Sequence, residues 1–177
     1  MNVRLLVVLA GLYAYSCPVL AECVLSETSQ LEFPHKLNLS EEECKFVEYN
    51  GSTVVTISVE YPSMKIVKHR PVNDSLVTFR LVNVSSESFD EDGAIRGMQP
   101  VSATDHMQYF QIGRFDYYRF ISRDGRPVGV TNGARMFNAR HLFGGSVEVR
   151  YSYTKTHTNL VEMDDFAVEF INKILEI

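Results

Sequence analysis

The chain has no tryptophan and only three cysteines, and its lysines and arginines are nowhere clustered. Lys and Arg number 17 against 22 Asp and Glu, a formal net charge of −5. Nucleic acid and anionic membrane surfaces both demand grouped cations, so neither is expected as a partner. There is no low-complexity stretch, no long linker and no repeat. The five histidines, His35, His69, His106, His141 and His157, stand alone, with no spacing that puts two on one strand or helix face. A zinc site is therefore not expected. Ser146 follows Gly144-Gly145 but lacks the Gly-x-Ser-x-Gly elbow of a hydrolase nucleophile, and Asp105-His106 has no recognisable third member.

What is present begins with an export leader. Arg4 supplies a positive start, Leu5 to Leu12 form an apolar run, and Val19-Leu20-Ala21 carry the small residues a signal peptidase needs before Glu22. The run is too short for a membrane span, which takes about twenty residues. The expected organisation is a cleaved signal at 1–21 and one domain at 22–177. That domain is exported to the periplasm or secreted, with no stable membrane insertion. Removing 21 of 177 residues leaves 156, enough for one full core, with 16 basic against 22 acidic residues.

Cys17 leaves with the leader. The even pair Cys23 and Cys44 is then expected to form a disulfide in an oxidising compartment.

From Cys44 onward the pattern is that of strands. Residues 45–49 run into the hairpin signal Asn50-Gly51, and 53–61 alternate Val55, Ile57, Val59 and Tyr61 against Thr56, Ser58 and Glu60. Strands are also expected at 64–69, 76–84, 107–115 and 117–123. Another follows the Asp124-Gly125 turn at 126–131, and Val147, Val149, Tyr151 and Tyr153 mark one more. A short helix carrying Met136, Phe137 and Leu142 is expected within 133–143. Met163, Phe166, Ala167, Phe170, Ile171, Ile174 and Leu175 recur at three- and four-residue spacings, the mark of an amphipathic helix. Asn159 and Glu162 supply its capping box. The expected fold class is α+β, an antiparallel curved sheet packed by a carboxy-terminal helix.

Val59-Glu60-Tyr61-Pro62-Ser63-Met64-Lys65-Ile66-Val67, Tyr151-Ser152-Tyr153 and Phe166 to Leu175 together resemble the pattern of the PsbP-like and DcrB-like family of exported domains. The likeness covers the two ends of the domain, and Met64 stands where the family has an aromatic residue. The resemblance implies an α/β/α sandwich that binds protein partners without chemistry, and it brings no catalytic residues.

Three groups of residues are candidates for binding. Ser88, Asp90 and Asp92, followed by Gly93, place oxygens at alternate positions as a calcium loop does, although Gln99 stands where a closing glutamate belongs. No cofactor is expected, and calcium is the one ion this turn is shaped to take. Alternation puts Phe110, Ile112, Tyr118 and Phe120 inside. That leaves Tyr109, Arg114, Tyr117 and Arg119 as a partner-binding strip of the residue types interfaces favour. Asn38, Asn50, Asn73 and Asn83 each begin a glycosylation sequon, used only if the source is eukaryotic.

The expected function is that of an exported, non-enzymatic binding protein acting through a protein surface, an inhibitor or immunity protein that neutralises a toxin or enzyme. Two alternatives stand beside it: a hydrolase whose site assembles from distant residues such as Asp105, His106 and Ser146, and a small-ligand or calcium carrier.

Overall fold

The computed structural model describes Cys23 and residues 35–50, 53–71, 73–85, 89–90 and 92–175. Among these, ten strands join into one antiparallel sheet, and a carboxy-terminal helix lies on it, an α+β fold. The strands are β1 (Glu48–Asn50), β2 (Val54–Glu60), β3 (Lys65–Val67), β4 (Leu76–Asn83), β5 (Ser102–Ala103), β6 (Met107–Ile112), β7 (Phe115–Ile121), β8 (Pro127–Asn132), β9 (Met136–Phe143) and β10 (Val147–Thr154). The helices are α1 (Glu41–Cys44) and α2 (Leu160–Ile174).

The sheet order is β1-β2-β4-β10-β9-β8-β7-β6-β5, with β3 beside β1 on the same edge of β2. After β4 the chain crosses to the far edge of the sheet. It then returns hairpin by hairpin until β10 pairs with β4. One ladder of the sheet therefore joins residues about seventy positions apart, such as Phe79 and Tyr151.

Alternation decides which face α2 covers. Val55, Ile57 and Val59 of β2, Val77, Phe79 and Leu81 of β4, and Val147, Val149, Tyr151 and Tyr153 of β10 are all buried on that face. The helix answers with Leu160, Met163, Phe166, Ala167, Phe170, Ile171 and Ile174, one apolar stripe at helical period. Phe79 meets Phe170 with ring centroids 4.7 Å apart, and Phe166 packs edge-on to Tyr61 at 5.1 Å. Asn159 caps the helix by accepting from the Glu162 N–H at 3.3 Å.

The helix expected within 133–143 is instead the strand β9, paired on both sides. Phe137, Ala139, His141 and Phe143 alternate inward there, against Met136, Asn138, Arg140 and Leu142. Histidine on the inward face broke the apolar signature that would have shown a period of two.

Two described residues that precede α1 are tied to the rest of the fold. The Cys23–Cys44 disulfide, with Cα atoms 5.5 Å apart, joins Cys23 to α1, and Leu37 bridges to Leu175 just beyond α2. Ser40 and Glu43 form a reciprocal capping box on α1. The disulfide fits an oxidising compartment. No helix among the described residues is long and apolar enough to cross a membrane.

Candidate functional site

Three places in the fold carry chemistry. The first is a polar network sealed beneath α2. His141 is wholly buried between two carboxylates: Nδ1 lies 3.1 Å from Asp164 Oδ1, and Nε2 lies 2.9 Å from Asp124 Oδ2. The Tyr151 hydroxyl donates to Asp164 Oδ1 at 2.7 Å, and the Ser122 hydroxyl donates to Asp164 Oδ2. Asp124 sits in the β7–β8 turn, where Gly125 at φ +82° completes the reversal, so the turn aims a carboxylate at the ring. Burial comes first among the causes that hold the Tyr151 hydroxyl well above its ordinary ionisation range, with the Asp164 charge next. Although the network contains serine, histidine and aspartate, Ser122 and Asp164 are buried with His141. Its visible work is to bind the helix to the β7–β8 turn, β9 and β10.

The second place is a row of arginines on the face opposite α2. Arg80 of β4 is the register partner of Arg150 of β10, which is in turn the partner of Arg140 of β9. Beyond Gly129 of β8 the same row reaches Arg119 of β7. Glu148 lies beside the row with its side chain 3% exposed. Arg140 Nε and Arg150 Nε both donate to Glu148 Oε1 at 2.7 Å, and Arg150 Nη2 donates to Oε2 at 2.9 Å. Burial alone would raise the Glu148 carboxyl. The hydrogen bonds and charges of Arg150 and Arg140 outweigh it and hold the group below its ordinary range. Arg80, Arg140 and Arg150, with Thr131, Asn138 and Ser152, line an open groove of about 340 Å³.

The third place lies on the α2 face, at the margin of the main core, where Met107 and Tyr118 are half-buried. With Ser102, Thr104, His106 and Tyr109 they surround an open depression of about 560 Å³. Tyr109 and Tyr118 are register partners with ring centroids 5.5 Å apart. The Tyr109 hydroxyl donates to Asp116 at 2.8 Å, which raises its ionisation range, and Asn132 donates to the other oxygen of Asp116.

The structure distributes the expected partner strip over two faces. Tyr109 borders the depression. Tyr117 is buried on the opposite face against Phe110 and Ile95, with its ring over Gly129, so close that a Cβ there would lie 1.9 Å from the Tyr117 hydroxyl. Arg119 is joined to Asp92 through Nε at 2.6 Å and Nη2 at 3.2 Å. Arg114 is exposed at the β6–β7 turn, over the ring of Phe115. The expected inward set of Phe110, Ile112, Tyr118 and Phe120 mixes the two faces, since register pairs Tyr109 with Tyr118 and Phe110 with Tyr117, and Ile95 packs on the face on which Tyr117 falls.

Of the expected calcium ligands, Asp90 pairs with Arg96 and Asp92 with Arg119, so each carboxylate faces a guanidinium. Ser88 lies outside the described residues, among which no group of three or more His, Cys, Asp or Glu side chains is placed to hold a metal ion. Ser146 and His106 are not brought together. Ser146 bonds His35 at 3.2 Å next to β10, whereas His106 precedes β6, four strands away, roughly 19 Å at the usual strand spacing. Asn50, Asn73 and Asn83 are exposed and Asn38 is half-buried. The side chains of Asn50 and Asn73 bond Thr56 and Ser75.

Sequence reasoning missed the arginine row. Its signal was present in each strand, because Arg80, Arg140 and Arg150 fall out of phase with their apolar neighbours, but nothing local shows that three such strands are adjacent. No family model, curated protein or solved structure matches the chain.

Proposed function

We propose that this protein is an exported binding protein that works through a protein surface, as an inhibitor or immunity protein masking a toxin or enzyme. The observation that carries this reading is the depression around Met107, Tyr109 and Tyr118, open to solvent just where the core under α2 ends. Tyrosine and methionine are enriched at interface centres, and a polar rim such as Ser102, Thr104 and His106 suits the edge of one. The occupant proposed is an apolar or aromatic anchor side chain on a partner with a basic surface. The chain's net charge of −5 favours approach of such a partner. The disulfide and the leader support export.

The test is a complex whose partner is identified and whose activity is assayed. The wild-type protein is expected to suppress that activity. A Tyr109→Ala, Tyr118→Ala double variant with unchanged far-UV circular dichroism is expected to fail. Equal suppression by the double variant would remove the depression as the docking surface, and an unaffected partner activity would remove the inhibitor reading.

A further inference from the structure

Two successive like-charged pairs, Arg80 with Arg150 and Arg150 with Arg140, stand directly opposite one another in the sheet. Cross-strand partners have Cβ atoms about 5 Å apart, and like charges so placed destabilise a sheet. The fold offsets part of this cost with one buried carboxylate, Glu148, which takes both Arg140 and Arg150. Among the described residues, three guanidiniums against one carboxylate leave the groove doubly positive. Among the described residues Arg80 makes no hydrogen bond or ion pair, and its side chain is exposed at the groove. A cost to stability without a structural return marks a place shaped for something else.

We propose that this groove binds a small oxyanion: a phosphate, sulfate or carboxylate group presented to Arg80, Arg140 and Arg150. The free fork of Arg80 matches two oxygens of such a group bidentately. Glu148 takes Nε of Arg140 and both Nε and Nη2 of Arg150, so each guanidinium keeps further N–H donors for a ligand while its orientation is fixed. Thr131 and Ser152 add hydroxyls to the wall. The volume, about 340 Å³, lies at the small end of ligand pockets, so the ligand is one anionic group on a small body. A polyanion would meet the repulsion of an acidic chain around this local positive site. The site stands apart from the docking depression, since it lies on the opposite face of the sheet.

The experiment titrates the whole protein with inorganic phosphate, sulfate and succinate at matched ionic strength, by calorimetry and by the shift in Tm. Saturable binding of at least one is expected. Arg80→Gln should weaken it at least about tenfold, the loss of a charge-assisted bond, and Arg80→Lys should fall between Gln and wild type. Arg123→Gln, at a guanidinium paired with Asp165 on the α2 side, should bind as wild type does. A preference for phosphate or sulfate names a tetrahedral group and a preference for succinate names a carboxylate. Wild-type affinity in Arg80→Gln, or the lack of saturable binding for all three anions, overturns the proposal.

Discussion

His141 of β9 and Asp164 of α2 face each other across the buried interface between sheet and helix at 3.1 Å, with 0% and 1% of their side chains exposed. Asp164 also receives the hydroxyls of Tyr151 and Ser122, so a single carboxylate joins the helix to three strands or turns of the sheet. Apolar packing fixes that the helix lies down. This carboxylate fixes where along the sheet it lies.

Removing Asp164 should therefore be costly. Asp164→Ala leaves His141, Tyr151 and Ser122 without their shared acceptor, and a loss of about 3–5 kcal/mol in urea unfolding is expected. Asp164→Asn keeps one acceptor oxygen and should lose less. A loss under about 1 kcal/mol for the alanine variant would show that the network contributes little.

The Glu148 carboxyl gives an acid-side prediction. Its folded-state position lies below the ordinary value of 4.5, so the stability it contributes is complete above that value and is lost as pH falls through the lower folded-state value. Glu148→Gln should cost on the order of 1–2 kcal/mol at pH 7. The gap between variant and wild type should narrow steadily in unfolding curves taken below about pH 4.5. A gap independent of pH would contradict the pairing with Arg140 and Arg150.

Tyr153 gives the alkaline counterpart. Burial, and secondarily the Asp164 charge, push its hydroxyl above the ordinary 10.0, so its contribution is complete below pH 10 and falls as pH rises beyond it. Among the described residues that hydroxyl has no hydrogen-bond partner. Tyr153→Phe should leave stability at pH 7 unchanged or raise it by about 1 kcal/mol, and should reduce the loss seen above pH 10. A clear drop at pH 7 would mean the hydroxyl is satisfied.

Gly129→Ala tests close approach rather than charge. The added methyl would meet the Tyr117 hydroxyl and ring, and Tyr117 is held by Phe110 and Ile95. A loss of about 1–3 kcal/mol is expected, and pairing the change with Tyr117→Phe should recover only part of it, because the ring carbon that bears the hydroxyl still falls 2.7 Å from the added methyl.

Reduction of the disulfide should act chiefly on the amino-terminal segment. Cys23 and Cys44 close a loop with a sequence separation of 21, worth about 3 kcal/mol by chain entropy. Cys23→Ser, Cys44→Ser should increase proteolysis before residue 47 while leaving the β10 amides protected from exchange. Equal loss of protection throughout would show that the staple supports the whole sheet.

Much of the fold was legible because it follows local rules. The strand at 147–154 and the helix at 160–174 announce themselves by periods of two and 3.6, and Gly125 marks the turn it makes. β9 was not legible, since His141 occupies an inward position that only Asp124 and Asp164, both distant in sequence, make tolerable. The strip Tyr109, Arg114, Tyr117 and Arg119 was not legible as one face: the register that sets Tyr109 beside Tyr118 and Tyr117 beside Phe110 is fixed between strands, and Ile95 packs on the second of those faces.

The sequence by itself determined the α+β class, the cysteine pairing and the inward residues of the strongest strands, because each depends on neighbours a few positions apart or on a count. The tertiary structure alone decided that Arg80, Arg140 and Arg150 stand side by side and that His141 lies between two carboxylates. Both depend on strand register and on the order in which a returning meander meets β4. Register is set by the sum of all side-chain packing across the sheet, and no single segment contains that sum.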